Sequence, residues 1–321
     1  MSSREMVVGV IDVGSNTIHL VVVAVGELGE LRYLADETEL ARLGEDVSAS
    51  GSIGPERMNR ALATLAAQVR QARNCQPVTV LGIATEGVRA AANGSDLIER
   101  AERECGLRLR LVSGEQEAAL TYWGATWPWA RETQRQAVLD LGGGSLEIVI
   151  GEGRRIVWRV SLPLGSGALY ARHVRSDPPT ASELAAVDAE VRDALASVAP
   201  PLPVERLVAC GGTATSVQRL ATIMGLSRAF RPDETLTIRT LDETLALLHR
   251  DAASALRAST GIEEARLRLI GPGTVALRGA VERLAAEGFI ASRAGVREGA
   301  ALAFVHAGER WPEVAARGEG W

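Results

Sequence analysis

Two segments of the chain repeat one pattern: Val10-Ile11-Asp12-Val13-Gly14-Ser15-Asn16-Thr17 near the start, and Val138-Leu139-Asp140-Leu141-Gly142-Gly143-Gly144-Ser145 almost halfway along. Each is an apolar run carrying an Asp near its end, then a turn of small residues, then a second apolar run (Ile18 to Val25, Glu147 to Ile150). Runs of this kind joined by a tight turn predict a β-hairpin. Successive backbone N–H groups in the turn can cradle an anion beside the carboxylate. Two copies, one per half, predict two lobes closing on a phosphate between them, and 321 residues suffice for two domains with separate cores.

Composition narrows the chemistry. A hydrophobic content of 46% with 23% charged residues describes a folded globular chain. All 35 basic residues are Arg, so a Walker-type lysine loop and Schiff-base chemistry are excluded. The net charge of −5 argues against nucleic acid as a partner, because no basic surface is there to receive it. A polyanionic substrate would need local arginines and backbone donors. Cys75, Cys105 and Cys210 are dispersed, without metal-ligand spacing, and read as free thiols of a reducing compartment. Asp12, Asn16 and His19 interrupt the first apolar run, so neither a leader nor a membrane span is expected, and the location expected is cytoplasmic.

Along the chain, strands are predicted at Val7–Val13, Ile18–Val25, Leu31–Ala35, Val78–Ala84, Leu107–Val112, Val138–Ile150 (with its turn), Arg155–Ser161 and Val204–Ala209. Helices are predicted at Pro55–Ala72, Asp96–Cys105, Glu117–Trp123, Ala181–Ala196, Thr213–Leu220, Asp242–Leu256 and Val275–Ala286. The piece Trp123–Trp129 with its polar tail reads as the connector between halves.

Several motifs carry chemistry. In the first turn Gly14, Ser15, Asn16 and Thr17 offer donors to a phosphate, against an ordinary tight turn with a capping Asp. In the second, Gly142, Gly143 and Gly144 are costly in backbone entropy, and Asp140 and Glu147 supply hard oxygen ligands suited to Mg²⁺. Gly211-Gly212-Thr213 joins a strand to a helix whose N-terminus can hold an anion. In Ser113-Gly114-Glu115-Gln116-Glu117-Ala118, either Glu115 or Glu117 is a candidate general base, or both are first-turn acids complementing the helix dipole. Arg89, just after a strand, could reach a phosphate. His19 reads as a hydrogen-bonded residue of its strand.

Taken together the chain resembles the exopolyphosphatase and guanosine pentaphosphate phosphohydrolase (Ppx/GppA) family. The matching segments are I-D-V-G-S-N-T-I-H-L at Ile11–Leu20, A-T-E-G-V-R at Ala84–Arg89, S-G-E-Q-E-A at Ser113–Ala118 and L-D-L-G-G-G-S-L-E at Leu139–Glu147. Further matches are S-L-P-L-G at Ser161–Gly165, R-L-R-L-I-G-P-G at Arg266–Gly273 and V-R-E-G at Val296–Gly299. The resemblance implies an α/β fold of two ribonuclease H-like domains, of the actin, hexokinase and Hsp70 superfamily, with the active site in the cleft. The expected domains are residues 1–124, with a C-terminal helix 299–321 returning to them, and residues 125–298.

By the same resemblance Glu117 is the base and Arg89 contacts phosphate, while Asp140 and Glu147 hold Mg²⁺, with Asp12 reaching the ion through water. Ser145, Gly165, Gly212 and Thr213 fall on the phosphate loops with the two turns. Gln116 stands where the family carries a second Glu, which removes one carboxylate from the expected site. The end at Trp321 and the lack of any His-Asp dipeptide match short family members without the HD-type domain, so shorter chains of inorganic polyphosphate are the expected substrate. Hydrolysis of pppGpp, or a regulator that binds (p)ppGpp without hydrolysis, are the alternatives. A kinase of the superfamily ranks last, since a hydrolytic base stands where a kinase must exclude water. A homodimer is left open.

Overall fold

The structure is a computed structural model that describes residues 5–27, 29–228 and 234–320. The chain forms two units, one of residues 1–130 with 294–321 and one of residues 131–293.

In the first unit the strands are β1 (Met6–Val13), β2 (Thr17–Val25), β3 (Leu31–Leu40), β4 (Thr79–Ala84) and β5 (Leu109–Leu111), in the sheet order β3-β2-β1-β4-β5. The hairpin pairs are antiparallel, whereas β4 lies parallel to β1 and β5 parallel to β4. Its helices are α1 (Leu43–Ser50), α2 (Pro55–Asn74), α3 (Glu86–Arg89), α4 (Gly94–Arg100) and α5 (Gly114–Thr126). In the second unit β6 (Arg135–Leu141), β7 (Leu146–Glu152), β8 (Arg155–Leu162) and β9 (Arg206–Cys210) are joined by the short β10 (Thr235–Thr237) and by β11 (Gly288–Ala291), in the order β10-β11-β9-β6-β7-β8. Its helices are α6 (Ser166–His173), α7 (Ala181–Ala196), α8 (Gly212–Ile223), α9 (Ile238–Arg250), α10 (Ala253–Thr260) and α11 (Glu264–Arg283). The chain then returns to the first unit with α12 (Val296–Ala307) and α13 (Trp311–Arg317).

Both sheets have the ribonuclease H-like arrangement: a three-stranded antiparallel meander extended by parallel strands on the side of its first strand. Central strands lie between layers, so Val8, Val10, Ile11 and Val13 are all buried although they alternate in direction. Ile11, Ile18, Leu65 and Leu97 centre the first core, and Leu139, Ile148, Leu277 and Phe289 the second. No helix among the described residues is long and apolar enough to cross a membrane. The three cysteines are free thiols; Cys210 is buried, Cys75 and Cys105 only half-buried.

Three expectations about elements are corrected. Trp123 lies inside α5, buried, so the connector begins later, in the short turn of 3₁₀ helix at Trp127–Trp129. The helix expected over Asp242–Leu256 is two helices, because Asp251 turns extended and the Asp177 carboxylate accepts from Ala253 N–H at 2.9 Å, starting α10 afresh. In the other direction, the helix expected over Val275–Ala286 begins earlier, at Glu264, so that α11 carries Gly271-Pro272-Gly273 inside it. A Cβ on Gly273 would lie 2.7 Å from a Thr213 methyl and 3.1 Å from Ser166 Cβ, so tertiary packing holds the helix where propensity would end it.

Candidate active site

The first hairpin closes with Gly14 N–H donating to Thr17 C=O at 3.0 Å. The carbonyl of Asn16 accepts from Ala41 and Arg42, and that of Ser15 from Gly44 at 2.8 Å. A trans peptide points its C=O and the next N–H in opposite directions. The N–H groups of Asn16 and Thr17 therefore face away from the start of α1. The second hairpin closes in the same way, Gly142 N–H to Ser145 C=O at 3.0 Å. The beginning of α6 consumes its carbonyls: Gly165 N–H binds Gly144, Ser166 binds Gly142 and Ala168 binds Gly143, at 2.9–3.1 Å. The N–H groups of Gly143, Gly144 and Ser145 are turned the other way, and among the described residues they have no acceptor. Gly165 permits this approach, since a Cβ there would lie 2.3 Å from the Gly144 carbonyl carbon and 2.4 Å from Ser145 N.

Across the β6–β7 ladder, Asp140 is paired directly with Glu147, which places both carboxylates on one face of the sheet. Glu147 is 2% exposed and accepts from Ser161 Oγ at 2.7 Å. Two carboxylates facing each other across the ladder are hard oxygen donors of the kind a divalent cation takes. Among the described residues no three His, Cys, Asp or Glu side chains gather as a metal cluster. Mg²⁺ needs none, because it keeps several waters and binds through one or two carboxylates plus substrate phosphates. The Asp140–Glu147 pair fits that description. Asp12 sits in the corresponding place of the first hairpin, but its cross-strand partner is His19, and Arg297 Nη1 of α12 stands 3.8 Å from its Oδ2. His19 in turn meets Asp36 at 2.6 Å, as a hydrogen-bonded strand residue.

Parallel pairing puts the end of β9 beside Asp140, and the chain turns there through Gly211, at φ +90°, into α8. Gly212 supports the Arg266 guanidinium, since a Cβ on it would lie 2.3 Å from Nη1. The Thr213 side chain is buried against Gly273, so from Thr213 only the backbone N–H is offered. Burial pulls the Arg266 pKa down, and among the described residues no carboxylate pairs with it. A desolvated, uncompensated guanidinium at a helix N-terminus is an anion receptor. Arg266 was quoted above only within a matching segment. Its partners lie more than fifty residues away, and no local spacing announces them.

In the first unit Gly87 of α3 covers the first turn, a Cβ there falling 2.6 Å from Ser15 Cα. Three residues of α3 and α5 then meet. Arg89 donates to Val112 C=O at 2.6 Å, to Glu86 at 2.5 Å, and reaches Glu117 Oε2 at 3.3 and 3.4 Å. Glu117 is 13% exposed and Arg89 26%. Its neighbour Gln116 is engaged elsewhere, in a capping box with Ser113 and a bond to Pro312 C=O. The side chain at position 116 therefore serves the helix end, which corrects the expectation that its amide marks a carboxylate lost from the site.

The residues thus fall into two groups, the Asp12 turn with Arg89 and Glu117 in one unit, and the Asp140 turn with Glu147, Gly165, Gly212 and Arg266 in the other. Fold and sites together define a protein of the phosphate-handling class built on two ribonuclease H-like units. The profile of the Ppx/GppA phosphatase family matches residues 21–307, and the chain belongs to that family. Membership makes it an enzyme, a hydrolase of phosphoanhydride bonds. It is 29% identical over 286 residues to exopolyphosphatase 1 of Mycobacterium leprae, covering 88% of this chain and 84% of that one. The crystal structure of the Aquifex aeolicus Ppx/GppA family member is similar with a TM-score of 0.81 at 25% identity, over 95% of this chain and 99% of the other. An exopolyphosphatase from Cytophaga hutchinsonii shares the fold, with a TM-score of 0.82 at 23% identity, over 94% of this chain and 98% of the other.

Proposed function

We propose that the protein is an exopolyphosphatase that removes the terminal phosphate of inorganic polyphosphate, with shorter chains preferred. The observation that carries this reading is the repetition of anion-receiving devices in a chain of net charge −5: two hairpin turns with outward N–H groups and the Gly212–Arg266 site. A linear polyanion offers one phosphate after another to such devices, and the similarity to exopolyphosphatase 1 supports the choice.

Glu117 takes the proton of the attacking water, with Arg89 orienting its carboxylate and offering positive charge to the transferring group. The turn amides bind the phosphate oxygens, and Arg266 holds a further phosphate. Asp140 and Glu147 would hold Mg²⁺; when bound, the ion supplies Lewis-acid neutralisation of phosphate charge. General-base assistance contributes about 100- to 10,000-fold, so Glu117→Gln is expected to lose turnover on that scale while still binding polyphosphate. Phosphate release from polyphosphate and from pppGpp, measured side by side with the purified enzyme, tests the whole reading. Full release by Glu117→Gln removes the base assignment, and preference for pppGpp removes the substrate.

A further inference from the structure

We propose that Gln116 is a positioning residue for Glu117, fixing the first turn of α5 to α13. This rests on Glu117 being the base. The Gln116 carboxamide is used at both ends: Oε1 accepts from Ser113 N–H at 2.8 Å, and Nε2 donates to Pro312 C=O at 2.9 Å. A neutral amide supplies an acceptor and a donor together, which an ionised carboxylate cannot. A carboxylate at this position would keep the cap but turn an oxygen, without a proton, onto the Pro312 carbonyl. That carbonyl is a fixed partner, because the neighbouring Trp311 is fully buried.

The other end of α5 is anchored by backbone contact with α12. A Cβ on Gly124 would lie 2.0 Å from Gly295 O, and one on Gly299 only 1.8 Å from Leu120 O. Helix α5 is thereby held at its C-terminal half by α12 and at its first turn by α13. Glu117 lies between these anchors, one residue beyond Gln116. Arg89, which it meets, is itself pinned by Val112 and Glu86. With Arg89 fixed, the height and rotation of the first turn of α5 decide whether the Glu117 carboxylate meets it. The Gln116–Pro312 bond is the tether that sets both.

The test compares Gln116→Glu and Gln116→Met with wild type and Glu117→Gln, by phosphate release from polyphosphate across pH and by thermal melting. Displacing a catalytic group by about an ångström can cost roughly a hundredfold, so kcat of Gln116→Met, which loses both bonds, is expected to fall by up to that scale, while Gln116→Glu, which keeps the cap and restores the residue the family carries here, is expected to fall less. KM should hold within about twofold, as for a loss confined to the transition state. In Gln116→Glu the acid limb of the kcat profile should also move to higher pH, since a like charge disfavours ionised Glu117; in Gln116→Met it should not. If both variants melt lower but keep wild-type kcat and acid limb well below their melting temperatures, Gln116 is structural only and the proposal falls. If Glu117→Gln retains full turnover, the base assignment falls and takes this proposal with it. An inactive Glu117→Gln beside wild-type Gln116 variants overturns the positioning role alone.

Discussion

The Asp12 and Asp140 hairpins use one backbone device and end in different electrostatics. Both close with a glycine N–H on the carbonyl three residues later at 3.0 Å, and both give their turn carbonyls to amides at the start of a following helix. What differs is the residue across the ladder: His19 faces Asp12, whereas Glu147 faces Asp140. Arg297 adds a cationic neighbour to Asp12. One aspartate has an arginine 3.8 Å away, and the other shares its face with a second acid. One backbone turn, repeated, thus sets a carboxylate opposite an imidazole in one unit and opposite a second carboxylate in the other.

The largest expected effect comes from the acids. Asp140→Asn and Glu147→Gln should each lower turnover by at least about a hundredfold, the loss of several kcal/mol of charge stabilisation, and should shift the Mg²⁺ dependence to higher concentration. Asp12→Asn should cost about tenfold or less, the scale of one lost hydrogen bond. Phosphate release titrated with Mg²⁺ decides, and equal losses at Asp12 and Asp140 would break the inequality of the two turns.

The glycines come next. Gly165→Ala drives a Cβ into the backbone of the second turn at 2.3 Å and should cost about 2–3 kcal/mol, the upper range for overpacking. Gly44→Ala approaches the first turn less closely, at 3.0 Å from Ser15 Cβ and 3.4 Å from its carbonyl oxygen, and gains up to about 1 kcal/mol of helix propensity. Urea unfolding of the two variants should therefore differ clearly, and equal destabilisation would show the α1 side of the first turn to be packed as tightly as the α6 side of the second.

The smallest effect is set by pH. Beyond α6, the Glu183 carboxylate accepts from the Ser176 hydroxyl and from the N–H groups of Thr180 and Arg175 at 2.8 and 2.7 Å, which lowers its pKa to about 2. A carboxyl lowered by folding contributes stability above its ordinary value near 4.5, lost as pH falls through the folded value near 2. Glu183→Gln should be less stable than wild type at neutral pH by about 1 kcal/mol, the scale of a helix cap, and the gap should close towards pH 2. Chemical unfolding at several pH values checks this. A gap that widens in acid would show that these hydrogen bonds are not what holds the Glu183 carboxyl low.

Much of this was legible because it is local. The period-two apolar runs around Asp12 and Asp140 announce the hairpins, and α7 begins and ends where Thr180, Glu183 and the alanine-rich run place it. Where local signals misled, packing overrode them: Pro272 inside α11 is held by the contact of Gly273 with Thr213 and Ser166, and Asp177 splits α9 from α10 by capping the second. Arg266 gave no local sign, because its support on Gly212 comes from a different element.

By itself the sequence determined the repeated hairpin, the absence of lysine chemistry and the segments that mark the family, since turns and strand periods depend on neighbours within a few residues. Tertiary structure alone decided that Glu147 opposes Asp140 while His19 opposes Asp12. It also decided that Arg266 lies on Gly212 and that Gln116 reaches Pro312. Those outcomes depend on register and on contacts up to 196 residues apart, and chain folding sets such distances only when the two cores close.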